Sequence, residues 1–355
     1  NDRESIADTF RKAFIIATTG RPGPVIIDIP KDLTDPNVKI DFEYKKNIKI
    51  RSYKIKMNED DNKIEEAAKI LCSAKKPMIY SGGGVILSKA SKELIKLTKL
   101  LNYPITNTLM GLGAYPSSDN QFLGMLGMHG TYEANMAMHD CDVLLAVGAR
   151  FDDRVTGDTK QFCPKAKIIH IDIDPSSISK IIEVDLSLIG DTKKILKKLT
   201  LYASKYKKNI NKAALEKWWK KIKSWQKKKC LSYKKSKEVI KPQSVIETLH
   251  TLSRGKSFVT SDVGQHQMWV AQYYKFDKPN RWINSGGLGT MGFGLPAAIG
   301  AQLAYPREQV ICVTGEASIL MCIQELSTCL QYGLPIKIIN LNNRYMGMVR
   351  QWQEF

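Results

Sequence analysis

The chain has 355 residues, of which 43% are hydrophobic and 25% are charged, as expected of a folded protein with two or three domains. This composition excludes a disordered chain, a fibrous protein and a small disulfide-stapled domain. The 54 basic and 35 acidic residues give a formal net charge of +19, which by itself suggests nucleic acid or an anionic membrane as a partner.

The first 62 residues predict the end of one domain and a connection. Apolar residues at helical spacing predict a helix over 3–19, and a Gly-Pro turn at 20–24 leads to a buried strand over 25–29. The polar stretch 39–62 predicts an extended linker.

Residues 63–191 alternate between amphipathic helices and short apolar strands. Helices are predicted over 63–73, 88–102 and 131–139, and strands over 77–80, 104–108, 143–147 and 168–173. This alternation predicts an α/β domain with a doubly wound parallel sheet that is covered on both faces. Ligands of such sheets bind at the carboxyl ends of the strands, where this sequence places Gly82, Gly83, Gly84, Gly111, Gly113, Gly127, Gly130 and Gly148.

Residues 192–241 predict a lysine-rich helical linker. They hold 19 Lys, no Arg and two Glu, and so carry +17 of the net charge. Trp218 and Trp225 are seven residues apart, so they share a helix face that packs on a neighbour while the lysines face water. Phosphate and base recognition favours the forked guanidinium of Arg, and no nucleic-acid partner is therefore expected.

Residues 242–355 predict a further doubly wound α/β domain, truncated at its C-terminus. Helices over 243–252 and 319–332 and strands over 258–260, 310–313 and 336–341 flank a glycine-rich apolar stretch at 285–305. The chain starts with Asn and has no terminal signature at its end, so we expect part of a longer protein.

Cellular context follows from segments that the sequence lacks. No apolar run reaches 18 residues and no signal peptide opens the chain, which predicts a cytoplasmic protein without membrane association. The seven cysteines have neither CxxC nor metal-ligand spacing, and we expect buried thiols in a reducing compartment.

Three motifs suggest ligand binding, and each has a structural alternative. Gly82-Gly-Gly84 lies between a strand and a helix, where backbone amides can approach a phosphate or form a plain tight turn. The run Gly148-Ala-Arg-Phe-Asp-Asp-Arg154 suits phosphate and ribityl hydroxyls, or an internal ion-pair network. The isolated histidines, such as the one in Leu126-Gly-Met-His-Gly130, are more typical of structural residues than of metal ligands.

The strongest motif combines two neighbouring strand ends. Thr314-Gly-Glu-Ala-Ser318 follows the strand at 310–313, and Asn342-Asn343 follows the next strand. A carboxylate and an amide placed in this way can hold a hard divalent cation against a diphosphate. The alternative is a solvated glutamate and an Asn turn, which spacing alone leaves open.

Five long runs in the same order resemble the acetohydroxyacid synthase (acetolactate synthase) catalytic subunit, a thiamine diphosphate-dependent family. They are Gly20-Arg-Pro-Gly-Pro-Val-Ile-Ile-Asp-Ile-Pro-Lys-Asp32, Gly148-Ala-Arg-Phe-Asp-Asp-Arg-Val-Thr-Gly157, Val263-Gly-Gln-His-Gln-Met-Trp269, Ser285-Gly-Gly-Leu-Gly-Thr-Met-Gly-Phe-Gly-Leu-Pro-Ala-Ala298 and Leu341-Asn-Asn-Arg-Tyr-Met-Gly-Met-Val-Arg-Gln-Trp352. The resemblance covers essentially the whole chain. It implies three α/β domains: a pyrimidine-binding one that ends here with 1–38, a central FAD-binding-like one at 63–191 and a diphosphate-binding one at 242–355.

The resemblance also implies cofactor residues in the last domain, while the glutamate that activates the cofactor would lie outside this sequence. Magnesium would be held by Glu316, Asn343 and the backbone carbonyl of Tyr345, and Met291 would keep the cofactor bent. The family has aspartate at the position of Glu316, so the longer side chain predicts weaker binding of Mg²⁺ and thiamine diphosphate. The full set implied for thiamine diphosphate is Val263, Gly264, Gln265, His266, Gly289, Met291, Gly315, Glu316, Ala317, Ser318, Asn343, Tyr345, Gly347 and Met348.

A flavin site and a substrate site are implied as well. FAD is expected to do no net redox chemistry. Arg154 would bind the carboxylate of the second 2-keto acid, and the apolar face of Trp352 would favour 2-oxobutyrate over pyruvate. The residues implied for FAD are Gly82, Gly83, Gly84, Thr108, Leu109, Met110, Leu126, Gly127, Met128, His129, Gly148, Arg150, Asp152, Asp172, Asp174 and Asp191.

The implied reaction is decarboxylation of pyruvate and transfer of the two-carbon unit to pyruvate or 2-oxobutyrate, the first common step of valine, leucine and isoleucine biosynthesis. The implied assembly is a homodimer with a small regulatory subunit, and these 355 residues alone are expected to be inactive. The alternatives are another thiamine diphosphate-dependent 2-keto acid carboligase or decarboxylase, an eroded inactive relative, and a basic nucleic-acid module formed by 192–241.

Overall fold

The computed structural model describes residues 3–37, 39, 45, 48–51, 53 and 59–354. A 3₁₀ turn at Arg3–Ser5 leads into helix α1 (Ile6–Thr18), as predicted, and neither element has a buried residue. The predicted buried strand at 25–29 is wrong, because this segment pairs with no strand of either sheet and Ile26 is 93% exposed. A strand needs a neighbour to satisfy its backbone, and none lies beside these residues in the part of the chain described. Most of the predicted linker 39–62 lies outside the described residues.

The central part of the chain forms a six-stranded sheet in which every strand pair is parallel, as predicted. The strand order is β3-β2-β1-β4-β5-β6, and the chain changes direction across the sheet between β1 and β4. The elements are α2 (Asp61–Ser73), β1 (Pro77–Ser81), α3 (Gly83–Leu87), α4 (Ser91–Leu101), β2 (Ile105–Asn107), β3 (Phe122–Met125), α5 (Tyr132–Asp140), β4 (Val143–Val147), α6 (Asp153–Thr156), β5 (Lys167–Asp172) and β6 (Leu186–Ile189).

Burial explains why β1 and β4 are the middle of this sheet. All five residues of each strand are buried, and Ile79 of β1 lies in register with Leu145 on one side and Ile105 on the other. Parallel strands covered on both faces carry such continuous apolar runs. The carboxyl ends of β1 and β4, where the strand order reverses, are the expected ligand edge.

The segment 192–241 contains helices, as predicted, and the face that carries Trp218 and Trp225 packs on a neighbour, as predicted. Two helices, α7 (Thr192–Tyr206) and α8 (Lys212–Gln226), pack their apolar faces into the central core, where Ile195 and Ile222 are fully buried. Trp218 also donates a hydrogen bond from Nε1 to the carbonyl of Pro77, 3.0 Å away. Residues 192–226 are therefore packed as part of the central domain, because their periodic apolar residues outweigh their lysine content.

The second sheet has four parallel strands in the order β10-β9-β7-β8, which confirms the second α/β prediction. The predicted helix 319–332 is broken at Cys322, whose backbone (φ −143°) leaves the helical region. The elements are α9 (Pro242–Ser253), β7 (Phe258–Ser261), α10 (Gln265–Tyr273), β8 (Trp282–Asn284), α11 (Gly294–Ala304), β9 (Val310–Thr314), α12 (Glu316–Leu320), α13 (Leu326–Gln331), β10 (Lys337–Asn340) and α14 (Gly347–Glu354).

The two sheets are connected by direct contacts. Ser117 N donates to the carbonyl of Phe276 at 3.2 Å, and Gln272 Nε2 donates to the carbonyl of His129 at 2.8 Å. Leu112 and Met125 of the central part lie in the core of the second sheet. These contacts fix the position of the two sheets, and so of their carboxyl edges, relative to each other.

All seven cysteines are free thiols, but the expectation that all are buried is wrong for Cys230, which is exposed, and for Cys329, which is half-buried. No helix among the described residues is long and apolar enough to cross a membrane.

Candidate active site

A cavity lies at the carboxyl edge of the second sheet, where the segments after β7, β9 and β10 converge. Every residue implied for thiamine diphosphate lines it except Gly289. The additional lining residues are Trp269, Leu341, Met346 and Val349. Parallel strands bring their carboxyl ends to one edge, which explains how segments some 80 residues apart in the sequence meet here.

Glycine is required where these segments touch. A Cβ atom on Gly315 would lie 2.9 Å from Nδ1 of His266, and one on Gly264 would lie 2.7 Å from the same ring. A Cβ atom on Gly347 would overlap the side chain of Gln265. Only glycine therefore allows the three segments to approach one another this closely.

Two polar atoms of the cavity wall are buried without a hydrogen-bond partner among the described residues: Nε2 of His266 and Oε1 of Glu316. Burial lowers the pKa of His266, and this effect outweighs the opposing charges of Asp262 and Glu316. Unpaired buried polar atoms are costly, so a site that keeps two of them is suited to a ligand that supplies their partners.

These atoms fit a divalent cation bound together with an anionic ligand. Glu316 is the only acidic residue of the cavity lining, and no cluster of three His, Cys, Asp or Glu that could hold a metal occurs in the described part of the chain. Asn343 Oδ1 accepts from the backbone N–H of Tyr345 at 3.0 Å and keeps a second lone pair. Such a sparse oxygen set suits Mg²⁺, which takes most of its ligands from water and from substrate phosphates.

Sequence reasoning missed Asp262, which lies directly behind the cavity. Its carboxylate is 1% exposed and accepts the backbone N–H of Gly294 at 2.5 Å and the hydroxyl of Thr314. It thereby joins the end of β7 to the start of α11 and the end of β9. The available signal was its position directly after a buried strand, where a carboxylate needs donors.

A second cavity, of about 460 Å³, contains both residues that were implied for the substrate. Arg154 comes from α6 of the central part and Trp352 from α14, and both side chains are mostly exposed. The guanidinium of Arg154 forms an ion pair with Asp153 at 3.1 Å. The remaining wall is partly apolar, with Met128, Met138 and Phe162. A cation beside an apolar surface can bind a small carboxylate that carries an alkyl group.

The residues implied for FAD follow the six strands of the central sheet and therefore share its carboxyl edge. A Cβ atom on Gly84 would lie 2.7 Å from the Cα of Gly148, so these glycines allow β1 and β4 to meet at the switch point. Gly82 packs on Gly148 in the same way. Glycine at 82 and 84 is thus required for this packing, and the role of the two residues in a phosphate loop stays a prediction.

Four carboxylates of this edge are used by the protein itself. Asp152, Asp174 and Asp191 each accept a backbone N–H at the start of a helix. Asp172 accepts from the backbone N–H of Asp174 at 2.9 Å, and the other oxygen of Asp174 forms an ion pair with Arg21 at 3.1 Å. The alternative of an ion-pair network around 150–154 is confirmed only for the Asp153–Arg154 pair.

Unused groups remain at this edge. Nδ2 of Asn107, at the end of β2, is buried without a hydrogen-bond partner in the described part of the chain, and Arg150 is exposed. A buried amide donor and an exposed guanidinium suit a ligand with carbonyl and phosphate oxygens, so the edge fits a dinucleotide such as FAD.

The structural interpretation of the histidines agrees with their contacts. His170 is fully buried on β5 and contacts the carbonyl of Ala149 through Nε2 at 2.9 Å. His139 contacts the carbonyl of Gln161, and His250 packs edge-on against Tyr274.

Comparison with known proteins identifies both halves of this architecture. Residues 64–199 match the family "Thiamine pyrophosphate enzyme, central domain", and residues 262–355 match "Thiamine pyrophosphate enzyme, C-terminal TPP binding domain". The chain belongs to the thiamine pyrophosphate enzymes. The first match extends past residue 191 into α7, in agreement with the packing of that helix.

Among curated proteins, this thiamine pyrophosphate enzyme is similar to acetolactate synthase large subunits. It is 53% identical over 352 residues to "Acetolactate synthase large subunit" of Haemophilus influenzae and 54% identical over 351 residues to that of Buchnera aphidicola subsp. Schizaphis graminum. It is 51% identical to "Acetolactate synthase isozyme 3 large subunit" of Escherichia coli (strain K12). Each alignment covers 99% of this chain and 61% of the relative, so the chain spans about three fifths of the length of the relatives it matches.

Proposed function

We propose that this chain is the greater part of the catalytic subunit of an acetolactate synthase. The reaction would be decarboxylation of pyruvate and transfer of its two-carbon unit to pyruvate or 2-oxobutyrate, at the start of valine, leucine and isoleucine biosynthesis. The observation that carries this proposal is that Arg154 and Trp352, from different domains, line one cavity. A decarboxylase without an acceptor 2-keto acid has no need of this pair.

Each protein group has a defined task in this proposal. Thiamine diphosphate, when bound, supplies the nucleophilic carbon and the electron sink for decarboxylation. Glu316, Asn343 and the carbonyl of Tyr345 would hold Mg²⁺, and His266 would donate to the diphosphate from its unpaired ring nitrogen. Met291 lies in the cavity wall and would support the bent form of the cofactor. Bringing reacting groups together in this way removes much of the entropic cost of reaction.

The acceptor side depends on the second cavity. Arg154 would bind the acceptor carboxylate through two parallel hydrogen bonds, and Trp352 would contact its alkyl group. An apolar wall can discriminate one methylene by about 1–3 kcal/mol. The central edge would bind FAD in a structural role.

The proposed assembly is a homodimer with a small regulatory subunit. The name of the relatives, large subunit, supports the small partner subunit. A cytoplasmic location belongs to the same proposal and agrees with seven free thiols.

The test is acetolactate formation from pyruvate by the full-length protein supplied with thiamine diphosphate, Mg²⁺ and FAD. We expect Arg154→Ala to raise the KM for the acceptor and to lower carboligation, and Trp352→Leu to lower the ratio of 2-oxobutyrate to pyruvate products by about 10-fold or more. Arg307→Ala, on an exposed loop of the last domain, serves as the control. Acetaldehyde without acetolactate would instead support a simple decarboxylase. No turnover in the presence of bound cofactors would support an inactive relative.

A further inference from the structure

Met110 lies between two glycine loops that belong to different domains. A Cβ atom on Gly83 would lie 3.4 Å from the Cβ of Met110, and a Cβ atom on Gly286 would lie 2.6 Å from its sulfur. Gly83 follows β1 in the central sheet, whereas Gly286 follows β8 in the second sheet. One side chain therefore contacts the proposed flavin edge at its base and the glycine-rich loop 285–293 at its tip.

The segment that carries Met110 is held firmly. Thr108 N donates to the carbonyl of Ser81 at 2.9 Å, and Thr108 Oγ1 accepts from the backbone N–H of Gly111 at 2.9 Å. The next residue, Leu112, is buried in the core of the second sheet, and Gly113 packs on the carbonyl of Lys278. The turn Leu109–Gly111 is thus fixed between the two domains.

The middle of the glycine-rich loop is held by its own hydrogen bonds, from the N–H groups of Gly289 and Thr290 to Ser285. Near its far end, Cys322 Sγ donates to the carbonyl of Gly292 at 3.0 Å. A Cβ atom on Gly287 or Gly289 would meet no described atom within 4 Å, and Leu288 is 90% exposed. The loop is anchored at its far end, where the backbone N–H of Gly294 donates a hydrogen bond to the carboxylate of Asp262. Near its start, the anchors are Asn284, Leu109 and Met110, which surround Gly286.

We propose that Met110 is a positioning residue that couples the two cofactor sites, so that flavin bound at the central edge pre-orders the loop 285–293 for thiamine diphosphate. This inference rests on the proposed function. A ligand at the central edge that contacts the turn 108–111 restricts Met110, and Met110 restricts Gly286. Coupling between two sites is reciprocal, so thiamine diphosphate strengthens flavin binding by the same factor.

The chemistry of methionine suits this task. Its unbranched, polarizable side chain adapts to an irregular gap between two backbones. Glycine at 83 and 286 lets the side chain approach both backbones closely. The coupling also gives FAD a physical role in a reaction without net electron transfer.

The test is a binding cycle on the full-length protein after both cofactors have been removed. The Kd of thiamine diphosphate in excess Mg²⁺ is measured by isothermal titration calorimetry, with and without saturating FAD. We expect FAD to lower this Kd by about five-fold or more in the unmodified protein. In Met110→Ala the ratio should fall close to one, whereas Met110→Leu, which keeps the bulk, should retain most of it.

Leu87→Ala is the matched control, because Leu87 is an exposed apolar residue on α3 of the same edge and lies in neither site. Its ratio should equal that of the unmodified protein. Met110→Ser is a second truncation in case the Ala variant does not fold. If the unmodified protein binds neither cofactor, the proposed function itself fails. If it binds both without coupling, or if Met110→Ala keeps the full ratio, the coupling role is refuted and the proposed function stands.

Discussion

Glu316 places a carboxylate where the family that this chain resembles has aspartate. One extra methylene extends the side chain by about 1.5 Å, and Mg²⁺ demands nearly octahedral ligand placement. We expect Glu316→Asp to lower the Kd of Mg²⁺ measured by calorimetry in the presence of thiamine diphosphate. Glu325→Asp, outside the cavity in the segment after α12, is the control and should leave the Kd unchanged. Equal Mg²⁺ affinity of Glu316→Asp and the unmodified protein would contradict the argument.

Asp262 is expected to determine stability as well as loop position. Its removal in Asp262→Ala leaves the N–H of Gly294 and the hydroxyl of Thr314 without their acceptor, at about 1–3 kcal/mol for each buried group. The free energy of unfolding, measured in urea, should fall accordingly, and Asp262→Asn should lose less because it keeps an acceptor oxygen. Asp28→Asn is the exposed control. Similar stabilities of Asp262→Ala and this control would refute the role.

His170 predicts the sign of the pH dependence of stability. Burial lowers its pKa, and the charge of Asp172 opposes this only in part. The folded state therefore binds protons less readily than the unfolded state, so stability is fully present above the unfolded pKa of about 6.5 and falls as the pH drops towards the folded value. His129, His250 and His266 act in the same direction.

The measurement for His170 is urea unfolding at two pH values, one on each side of the unfolded pKa. We expect His170→Gln to lose less stability on acidification than the unmodified protein, since it removes one buried group that must be charged. His139→Gln, at an exposed position, should lose as much stability on acidification as the unmodified protein does. An unchanged pH dependence in His170→Gln would show that this imidazole does not contribute.

At the level of elements, the sequence predicted the strands that are continuous apolar runs. β1, β4 and β9 were predicted within one residue of their observed starts, because continuous apolar runs identify strands that are buried on both faces. β8 was missed because its three residues directly precede the glycine-rich stretch, and α11 because its glycines obscure a helical pattern. The strand at 25–29 was predicted from its apolar run alone, although pairing decides strand formation.

Helix α8 provides a test of whether residues 192–226 belong to the central domain. Trp218 is buried and donates a hydrogen bond to the carbonyl of Pro77. Trp218→Ala should therefore lower the free energy of unfolding by about 3–5 kcal/mol. Trp219→Ala is a matched control, since the adjacent ring is only partly buried although it also donates to a backbone carbonyl. Equal and small losses for the two variants would support a connecting segment instead of a packed helix.

For the whole molecule, the site depends on contacts that local patterns do not encode. Arg154 and Trp352 are 198 positions apart, and no periodicity indicates that α6 and α14 face one cavity. The cofactor cavity was easier to predict, because parallel strands bring their carboxyl ends together wherever they occur in the sequence. The exception, Gly289, lies in the glycine-rich loop, where a Cβ atom on it would meet no described atom within 4 Å.

The net charge of +19 is a property of the whole surface. The packing of α7 and α8 changes what this charge implies about partners. Their apolar faces are buried, so the lysines cover the outside of a folded domain, and some pair with acidic residues, as in Lys198–Asp61 at 2.8 Å. We expect a 30-nucleotide RNA to show no retention by this chain in filter binding at physiological salt, because a lysine-covered surface without arginine or a recognition motif gives only weak, salt-sensitive attraction. Lys217→Gln/Lys220→Gln, on exposed positions of α8, should leave unchanged both this result and acetolactate formation by the full-length protein. If the unmodified chain retained RNA at this salt and the double substitution abolished the retention, the lysine-rich surface would instead be a nucleic-acid binding site.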